Sequence, residues 1–378
     1  MTRIVIAPNA FKESISAPAA AAAIAQGVLR VIPDAEVVCV PVADGGDGTA
    51  ESVLAAREGK WREVKVHDPL MRPIQSRYGT IDDGRVAVIE MAEASGLRLL
   101  APDERNPMKT STFGAGELLR DALDRGCETI IMGIGGSATV DGGLGMASAL
   151  GYGLLDSAGN PIEANGGGLQ MLAHIVSQNV HPQLRKTKIL IASDVTNPLV
   201  GPEGAAAVFG PQKGATPDMV DALDAGLVNA ARCWRDAFGV DVAELPGAGA
   251  AGGLGAGLVA FCGAEIRSGF DLVADTVKLD DALQGAQLVI TGEGKIDEQT
   301  QYGKAPAGVA ARAKRFGVPA VGLAGSLSGD LSALYTNGMT ALFSIVPGPM
   351  SLDDAMANAK TLLADASEQV VRLWQNSN

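Results

Sequence analysis

The sequence of 378 residues is longer than one ordinary hydrophobic core requires, so it predicts two domains, each able to bury an apolar interior. A formal net charge of −13 and a pI near 4.7 disfavour nucleic-acid binding, which depends on clustered Lys and Arg. The three histidines lack metal-ligand spacing, which disfavours a zinc site and a Ser-His-Asp triad.

The cysteines and the hydrophobic runs indicate the compartment. Four cysteines are scattered without a CxxC pair, which favours free thiols in a reducing cytoplasm. An uncharged run over residues 247–264 has the length of a membrane helix but contains seven glycines. We therefore expect a cytoplasmic protein with no membrane or nucleic-acid partner. The oligomeric state is left open, a homo-oligomer included.

The first 60 residues alternate strands and helices. Residues 3–7 and 36–41 have the apolar pattern of strands, and residues 17–31 and 49–58 that of helices. Such a βαβα start predicts a parallel sheet.

From Trp61 the pattern changes. Residues 61–67, 74–81 and 85–92 are predicted strands joined by short turns, which favours antiparallel pairing and a different domain. A helix over 110–126 and a buried strand over 130–133 follow.

The remaining elements return to the initial alternation. Further predicted strands and helices cover, in order, 152–155, 188–193, 218–238, 254–262, 280–286, 288–294, 306–316, 320–326, 331–337, 341–347 and 351–375. We interpret the whole as an α/β protein of two domains. Residues 1–60 and 286–378 form a discontinuous Rossmann-like parallel-sheet domain, and residues 61–285 form an inserted mixed α/β domain.

A glycine-rich turn after the strand at 130–133 is the central motif. The stretch GIGGSATVDGG contains Gly135, Gly136, Ser137 and Asp141, and a helix is predicted from Leu144. Glycines at a strand-to-helix turn expose N–H groups, and the helix start adds positive charge, which together favour anion binding. Tight packing at the turn would explain the same glycines.

Two further loops follow predicted strands near the N-terminus. Lys12 could neutralise a phosphate, although a surface lysine is the commoner case. Asp44 and Asp47, in the turn DGGDGT, could hold Mg²⁺ or accept a substrate hydroxyl. An Asx turn and a helix cap are their structural alternatives.

Two loops in the middle of the chain carry similar groups. Arg105 and Lys109 precede three hydroxyls, Thr112 among them, at a helix start, which favours carboxylate or phosphate binding over capping alone. Asp194 ends a strand before TNP, and we select it as the base for a substrate hydroxyl, with turn formation as the alternative.

The stretch GEGK at 292–295 superficially resembles a P-loop. Val289 stands where the first glycine is required and Ile296 replaces the Ser/Thr, so this is not a Walker A motif. Any nucleotide chemistry must therefore use another arrangement.

Together these groups suit phosphoryl transfer, which needs cations and donors for phosphates, carboxylates for Mg²⁺ and an acid near the acceptor hydroxyl. The predicted roles are catalytic for Asp194 and Lys12; substrate-binding for Asp44, Arg105, Thr112, Ser137 and Asp297; nucleotide-binding for Gly135, Gly136, Gly292, Gly294, Lys295 and Lys304; and metal-binding for Asp47, Asp141 and Glu293.

Several long motifs resemble those of bacterial type I glycerate kinases, in the same order from Ile4 to about Pro347. They include APNAFKESISA, PVADGGDGT, ERNPMKTSTFGAGELL, GIGGSATVDGGLGMASALG and LVITGEGKIDEQTQYGKAP. The resemblance implies ATP- and Mg²⁺-dependent phosphorylation of D-glycerate, commonly to 2-phosphoglycerate, in a cleft between two α/β domains. The 3-phosphoglycerate product remains an alternative.

Four departures from the family pattern bear on the metal. Asn9-Ala10 replaces a frequent Asp-Ser, Asp47 a frequent Glu, Val140 a frequent Asn and Thr196 a frequent second Asp. A metal site that depended on position 9 or 196 is therefore in doubt.

Two other classes of function share these features. A hydroxy-acid dehydrogenase would have similar Rossmann-like ends, but GxGxxG is missing and histidines are few. A non-catalytic nucleotide or anion sensor could use the same glycine turn.

Overall fold

A computed structural model describes residues 2–301 and 304–376. The strands of this mixed α/β fold are β1 (Arg3–Pro8), β2 (Glu36–Cys39), β3 (Lys60–His67), β4 (Pro73–Ile81), β5 (Val86–Glu90), β6 (Thr129–Gly133), β7 (Gly153–Leu155), β8 (His174–Val176), β9 (Lys188–Ala192), β10 (Glu265–Arg267), β11 (Leu288–Ile296), β12 (Ala320–Leu327) and β13 (Met339–Ser344).

The helices connect and cover these strands. They are α1 (Ala17–Val31), α2 (Thr49–Arg57), α3 (Ala92–Ser95), α4 (Phe113–Asp124), α5 (Leu144–Ala149), α6 (Ala205–Phe209), α7 (Pro217–Phe238), α8 (Leu254–Cys262), α9 (Gly269–Thr276), α10 (Leu279–Leu283), α11 (Ala305–Arg315), α12 (Ser332–Thr336), α13 (Leu352–Ala357) and α14 (Ala359–Gln375). Within the described ranges, none of them has both the length and the apolar composition to cross a bilayer.

The chain divides into two compact units. Unit 1 contains Met1–Asp44, Glu51–Glu58 and Phe270–Asn378, and unit 2 contains Gly45–Ala50 and Gly59–Gly269. The sequence predicted the second part of the Rossmann-like domain to begin at 286, whereas unit 1 resumes at Phe270.

The packing of α9 explains this difference. A Cβ atom on Gly308 of α11 would lie 2.2 Å from the Phe270 ring, so the ring lies directly against that helix. Arg312 of α11 also pairs with Asp271 and Asp275 of α9. These contacts join two segments far apart in sequence, so local periodicity did not reveal them.

Unit 1 is built on a parallel sheet. Its strand order is β13-β12-β11-β1-β2, with Ile4 of β1 paired to Leu288 of β11 and to Val37 of β2. From β1 the next strand, β2, is added on one side, whereas from β11 the strands β12 and β13 are added on the other side. The boundary between β1 and β11 is therefore a topological switch point. Ligands of open α/β sheets bind beyond the carboxyl ends of strands at such a point.

Unit 2 contains a mixed sheet. The order is β10-β9-β6-β5-β4-β3, in which β5, β6, β9 and β10 are parallel and β3 and β4 pair antiparallel. The antiparallel pairing predicted for residues 61–92 is therefore confirmed. Helices α4, α5, α7 and α8 contribute to its core, which includes the fully buried Trp234.

The predicted terminal helix is interrupted. Residues 351–375 form α13 and α14, because Asn358 has φ −101° and ψ 8° and leaves the helical conformation. The predicted strand over 85–92 is also shorter, since Ala92 begins α3.

Candidate active site

Three of the predicted motifs meet within unit 2, at the carboxyl ends of β6 and β9. A Cβ atom on Gly45 would lie 2.5 Å from the Ala192 carbonyl oxygen at the end of β9. A Cβ on Gly135 would lie 3.1 Å from Gly46 Cα, and one on Gly136 would lie 3.2 Å from Asp47 Oδ1. The DGGDGT turn therefore packs on the GIGGSA turn, and only small residues allow this approach.

The GIGGSA turn has the exposed amides expected of an anion site. Gly135 and Gly136 are exposed, and Gly136 has φ 70°, which favours glycine. The Gly136 carbonyl accepts a hydrogen bond from Leu97 N, which holds the turn. The N–H groups of Gly135 and Gly136 donate to no other residue in the part of the chain that the structure describes, so they are available to a ligand.

Asp194 lies just beyond β9, on the same edge of the sheet. Its carboxylate accepts a 2.9 Å hydrogen bond from Gly269 N, the first residue of α9, and the residue is exposed. An exposed carboxylate can reach a substrate hydroxyl, so this geometry is compatible with the predicted base.

Asp141 and Thr112 do not fit their predicted roles. Asp141 is fully buried, and it accepts hydrogen bonds from Thr112 N and Oγ1, both at 2.8 Å, and from Gly143 N and Gly145 N. Burial raises its pKa despite these donors. Because both oxygens are satisfied inside the fold, we correct the prediction: Asp141 organises the turn, and Thr112 supports it rather than binding substrate.

Lys213 is a candidate residue to which the sequence analysis gave no role. Its Nζ donates hydrogen bonds of 2.7 Å to Ser137 Oγ and to the Thr139 carbonyl, and its exposed fraction is 1%. Burial lowers its pKa to about 7, although the Asp141 charge opposes this. Nothing in the GPQKG loop indicated burial, because a lysine in a polar loop is ordinarily exposed.

Arg105 lies against the loop that carries Lys213. A Cβ on Gly214 would lie 2.3 Å from the Arg105 carbonyl oxygen. Arg105 is half-buried, and its Nε is buried with no hydrogen-bond partner among the described residues. A ligand oxygen would satisfy this donor, and the role of Arg105 in substrate binding stays a prediction.

Glu90 is a second residue that the sequence analysis missed. It is the last residue of strand β5 and accepts hydrogen bonds from Ala50 N at 2.7 Å and Gly48 N at 3.2 Å. Burial raises its pKa to about 7, while the two amides lower it and the charges of Glu93 and Asp47 raise it further. Glu90 thereby fixes the turn that carries the exposed Asp47.

Unit 1 contains a cavity of about 810 Å³ at the carboxyl ends of β1 and β11, lined by the loop after β1 and by the last residues of β11. Six of the residues lining it were predicted site residues: Lys12, Asp44, Glu293, Gly294, Lys295 and Lys304. Another part of the wall is apolar and includes Ile345, Val346, Met350, Leu352 and Met356. The cavity therefore combines a charged region with an apolar one.

Glu293 is the buried carboxylate of this cavity. Its exposed fraction is 8%, and its Oε1 accepts a 3.0 Å hydrogen bond from Thr300 Oγ1. Burial raises its pKa to about 7; Asp44 raises it as well, whereas Thr300, Lys304 and Lys12 lower it.

Asp297 and Gly292 serve the structure around the cavity. Asp297 pairs with Lys295 at 3.0 Å and Lys304 at 3.9 Å, and the hydrogen bond from Lys295 lowers its pKa. A Cβ on Gly292 would lie 2.1 Å from the Leu323 carbonyl oxygen, so the glycine is required for packing against β12. Asp297 thus orients two lysines and Gly292 permits close strand packing, while their predicted roles in substrate and nucleotide binding stay predictions.

The three predicted metal ligands do not form one cluster. Across residues 2–301 and 304–376, no group of three or more His, Cys, Asp or Glu side chains is arranged to hold a metal ion. Magnesium in phosphotransfer sites usually takes one or two carboxylates together with waters and phosphate oxygens. Asp44 and Glu293, two oxygen donors lining one cavity, fit that requirement.

Comparison with known proteins identifies the family. A sequence model of the glycerate kinase family matches residues 4–375. A glycerate kinase of Halalkalibacterium halodurans is 50% identical over 100% of both chains, and a glycerate 2-kinase of Escherichia coli is 46% identical over 97% of both. A crystal structure of a Salmonella typhimurium protein assigned as glycerate kinase 2 superposes with a TM-score of 0.92 at 47% identity, covering 100% of this chain and 99% of the other.

The two α/β units carry the cations, amides and carboxylates that a phosphotransferase needs. The chain belongs to the glycerate kinase family, whose members are ATP-dependent small-molecule kinases.

Proposed function

We propose that the protein transfers the γ-phosphoryl group of ATP to the 2-hydroxyl of D-glycerate, giving ADP and 2-phosphoglycerate. The assignment of glycerate as substrate rests on the full-length 50% identity to a glycerate kinase. The 46% identity to a glycerate 2-kinase supports phosphorylation at the 2-hydroxyl. The alternative product is 3-phosphoglycerate. Because the reaction consumes ATP, we assign it to the cytoplasm.

ATP binds in the unit 1 cavity in this proposal. The volume of about 810 Å³ is within the range of small-molecule sites. Positive charge for the phosphates comes from Lys12, Lys295 and Lys304. The apolar wall around Met350 and Leu352 suits the adenine ring of ATP. The topological switch point between β1 and β11 supports this placement.

Asp44 and Glu293 would hold Mg²⁺. The ion supplies charge neutralisation for the phosphate oxygens. Within the chain, Thr300 fixes Glu293 through the hydrogen bond to Oε1, which orients one oxygen and leaves the other for coordination.

The hydroxy acid binds in unit 2 in this proposal. The exposed amides of Gly135 and Gly136 and the Ser137 hydroxyl bind its carboxylate, and Arg105 adds a positive charge. Asp194 accepts the proton of the substrate hydroxyl as the phosphoryl group is transferred.

The test is a coupled assay of ADP release with Mg-ATP and D-glycerate, followed by phosphorus NMR of the product. We expect turnover that requires D-glycerate and a resonance coupled to the C2 proton. No ADP release above that with ATP alone would overturn the proposal, and a resonance coupled to the C3 protons would establish 3-phosphoglycerate instead.

A further inference from the structure

Lys213 is a buried cation without a carboxylate partner. No Asp or Glu oxygen lies within 4.0 Å of its Nζ in the described parts of the chain, although the whole side chain is buried. Buried lysines are ordinarily paired, because removing an ammonium from water costs several kcal/mol. Its two hydrogen bonds, to Ser137 Oγ and Thr139 O, leave one N–H of the ammonium without a protein acceptor.

A second buried group next to Lys213 is also unpaired. Thr139 is fully buried, and its Oγ1 has no hydrogen-bond partner among the described residues. An unpaired buried hydroxyl beside a buried ammonium that no carboxylate contacts is costly to the folded state. Both are explained if an anionic ligand or its bound water completes the site.

The contact with Lys213 fixes the direction in which Ser137 can donate. A protonated lysine has only donors at Nζ, so Ser137 Oγ is the acceptor in the 2.7 Å hydrogen bond whenever Lys213 is charged. The Ser137 hydroxyl proton then points away from Lys213. Ser137 is itself buried, with 7% exposed, and follows the exposed Gly135 and Gly136. Its hydroxyl donates to no other described residue, so a ligand bound on this turn can accept that proton.

We propose that Lys213 is a positioning residue for substrate recognition: it holds Ser137 so that the Ser137 hydroxyl donates to the carboxylate of the hydroxy acid. The proposal rests on the proposed function and adds to it a residue that acts through Ser137. A single buried cation suits a carboxylate of one negative charge, whereas the triphosphate has three lysines in the unit 1 cavity.

The test compares Ser137→Ala, Lys213→Met and the double variant. Met has nearly the length of Lys without its donors. We expect KM for D-glycerate to rise at least tenfold in each single variant while KM for ATP changes less than twofold. Because Lys213 acts through Ser137, we expect the double variant to resemble Ser137→Ala rather than to show the product of the two effects.

The control is Tyr78→Phe, which removes a buried 2.9 Å hydrogen bond to Asp121 elsewhere in unit 2. We expect this variant to lower Tm without raising KM for glycerate. Should Lys213→Met fail to fold, Ser137→Ala still tests the site, since D-glycerate should raise its Tm less than that of the wild type while ATP raises both equally.

Four results would overturn the proposal. Three of them are an unchanged KM for glycerate in folded variants, an equal rise in both KM values, and a rise in KM for ATP alone, which would make the anion a phosphate. Multiplicative effects in the double variant would show that Lys213 does not act through Ser137. Wild-type turnover of D-glycerate is measured first, so failure of the proposed function is distinguishable from failure of this inference.

Discussion

Asp141 and Asp194 each follow a strand of the parallel part of the unit 2 sheet, yet their surroundings differ. Asp141 is fully buried and its oxygens accept four hydrogen bonds, whereas Asp194 is exposed and has the Gly269 amide as one donor. A proton acceptor must be within reach of the substrate hydroxyl. Of the two, Asp194 alone is exposed, so our proposal gives the role of base to Asp194.

We expect Asp194→Asn to lower kcat by about 10²- to 10⁴-fold, the usual contribution of a general base, with little change in either KM. The amide oxygen of Asn can still accept the hydrogen bond from Gly269, so the loop should keep its conformation. Steady-state kinetics with both substrates measures the effect. Asp241→Asn, a change at an exposed acid paired with Arg235, is the matched control. A kcat near that of the wild type would remove Asp194 from the mechanism.

Glu90 should make the stability of unit 2 depend on pH. Its folded pKa of about 7 lies above the ordinary 4.5, so between these values the folded state binds more protons than the unfolded state. Stability therefore falls as the pH rises from 4.5 to 7, by roughly 3 kcal/mol for this group.

Glu90→Gln has no proton to lose in that range, so we expect a smaller decrease in unfolding free energy between pH 5 and pH 8. Gln can accept only one of the two hydrogen bonds from backbone amides, which lowers stability at every pH. The two proteins are therefore compared by the slope of unfolding free energy against pH. Denaturant unfolding at several pH values measures it, with the exposed Glu128→Gln as control. An unaltered slope would contradict the assignment.

At the scale of elements, the sequence predicted the helices and strands whose hydrophobic pattern is contained within the element itself. The bounds of α1 and α8 were predicted to the residue, because each has an apolar helical run ending at a turn or glycine. Helix α9 was missed because its place depends on the packing of Phe270 against Gly308, and the break at Asn358 gave no proline or glycine signal.

The candidate site was predictable only in part. The GIGGSA turn and Asp194 follow strands β6 and β9, so their position at one edge of a sheet could be inferred. The burial of individual side chains could not be inferred from the sequence. Lys213 and Glu90 are charged residues enclosed by segments distant in sequence, and Asp141 accepts hydrogen bonds from amides that the fold brings to it.

Gly27 lies where helix α1 packs against helix α14. A Cβ there would lie 2.1 Å from both the Ala364 carbonyl oxygen and Ser367 Oγ. We expect Gly27→Ala to destabilise unit 1 by about 1–3 kcal/mol, because the backbone oxygen cannot move cheaply and this outweighs the better helix propensity of Ala.

Thermal and urea unfolding measure the Gly27→Ala effect. Gly348→Ala is the control, because nothing lies within 4 Å of its added Cβ, and a change within about 0.5 kcal/mol is expected. Equal stability of the two variants would mean that the α1–α14 contact is looser than the structure describes.

At the scale of the whole molecule, the proposals assign the two substrates to different units. The lysines and apolar wall of the cavity belong to unit 1, and the amides of Gly135 and Gly136, with Ser137 and Lys213, belong to unit 2. Each unit should therefore respond to its own ligand, a property that no single substitution tests.

Hydrogen–deuterium exchange of the intact protein provides that test, because amides that hydrogen-bond a ligand, or that a ligand shields, exchange more slowly. We expect a non-hydrolysable ATP analogue alone to slow exchange at residues 11–14 and 293–295 of unit 1, and D-glycerate alone to slow it at residues 134–139 of unit 2. Peptides from α7, whose residues the proposals do not use, serve as the internal control in both arms. Protection of unit 1 by D-glycerate without nucleotide, or of residues 134–139 by the analogue alone, would contradict the assignment, since the amides of Gly135 and Gly136 would then bind phosphate rather than the acid's carboxylate.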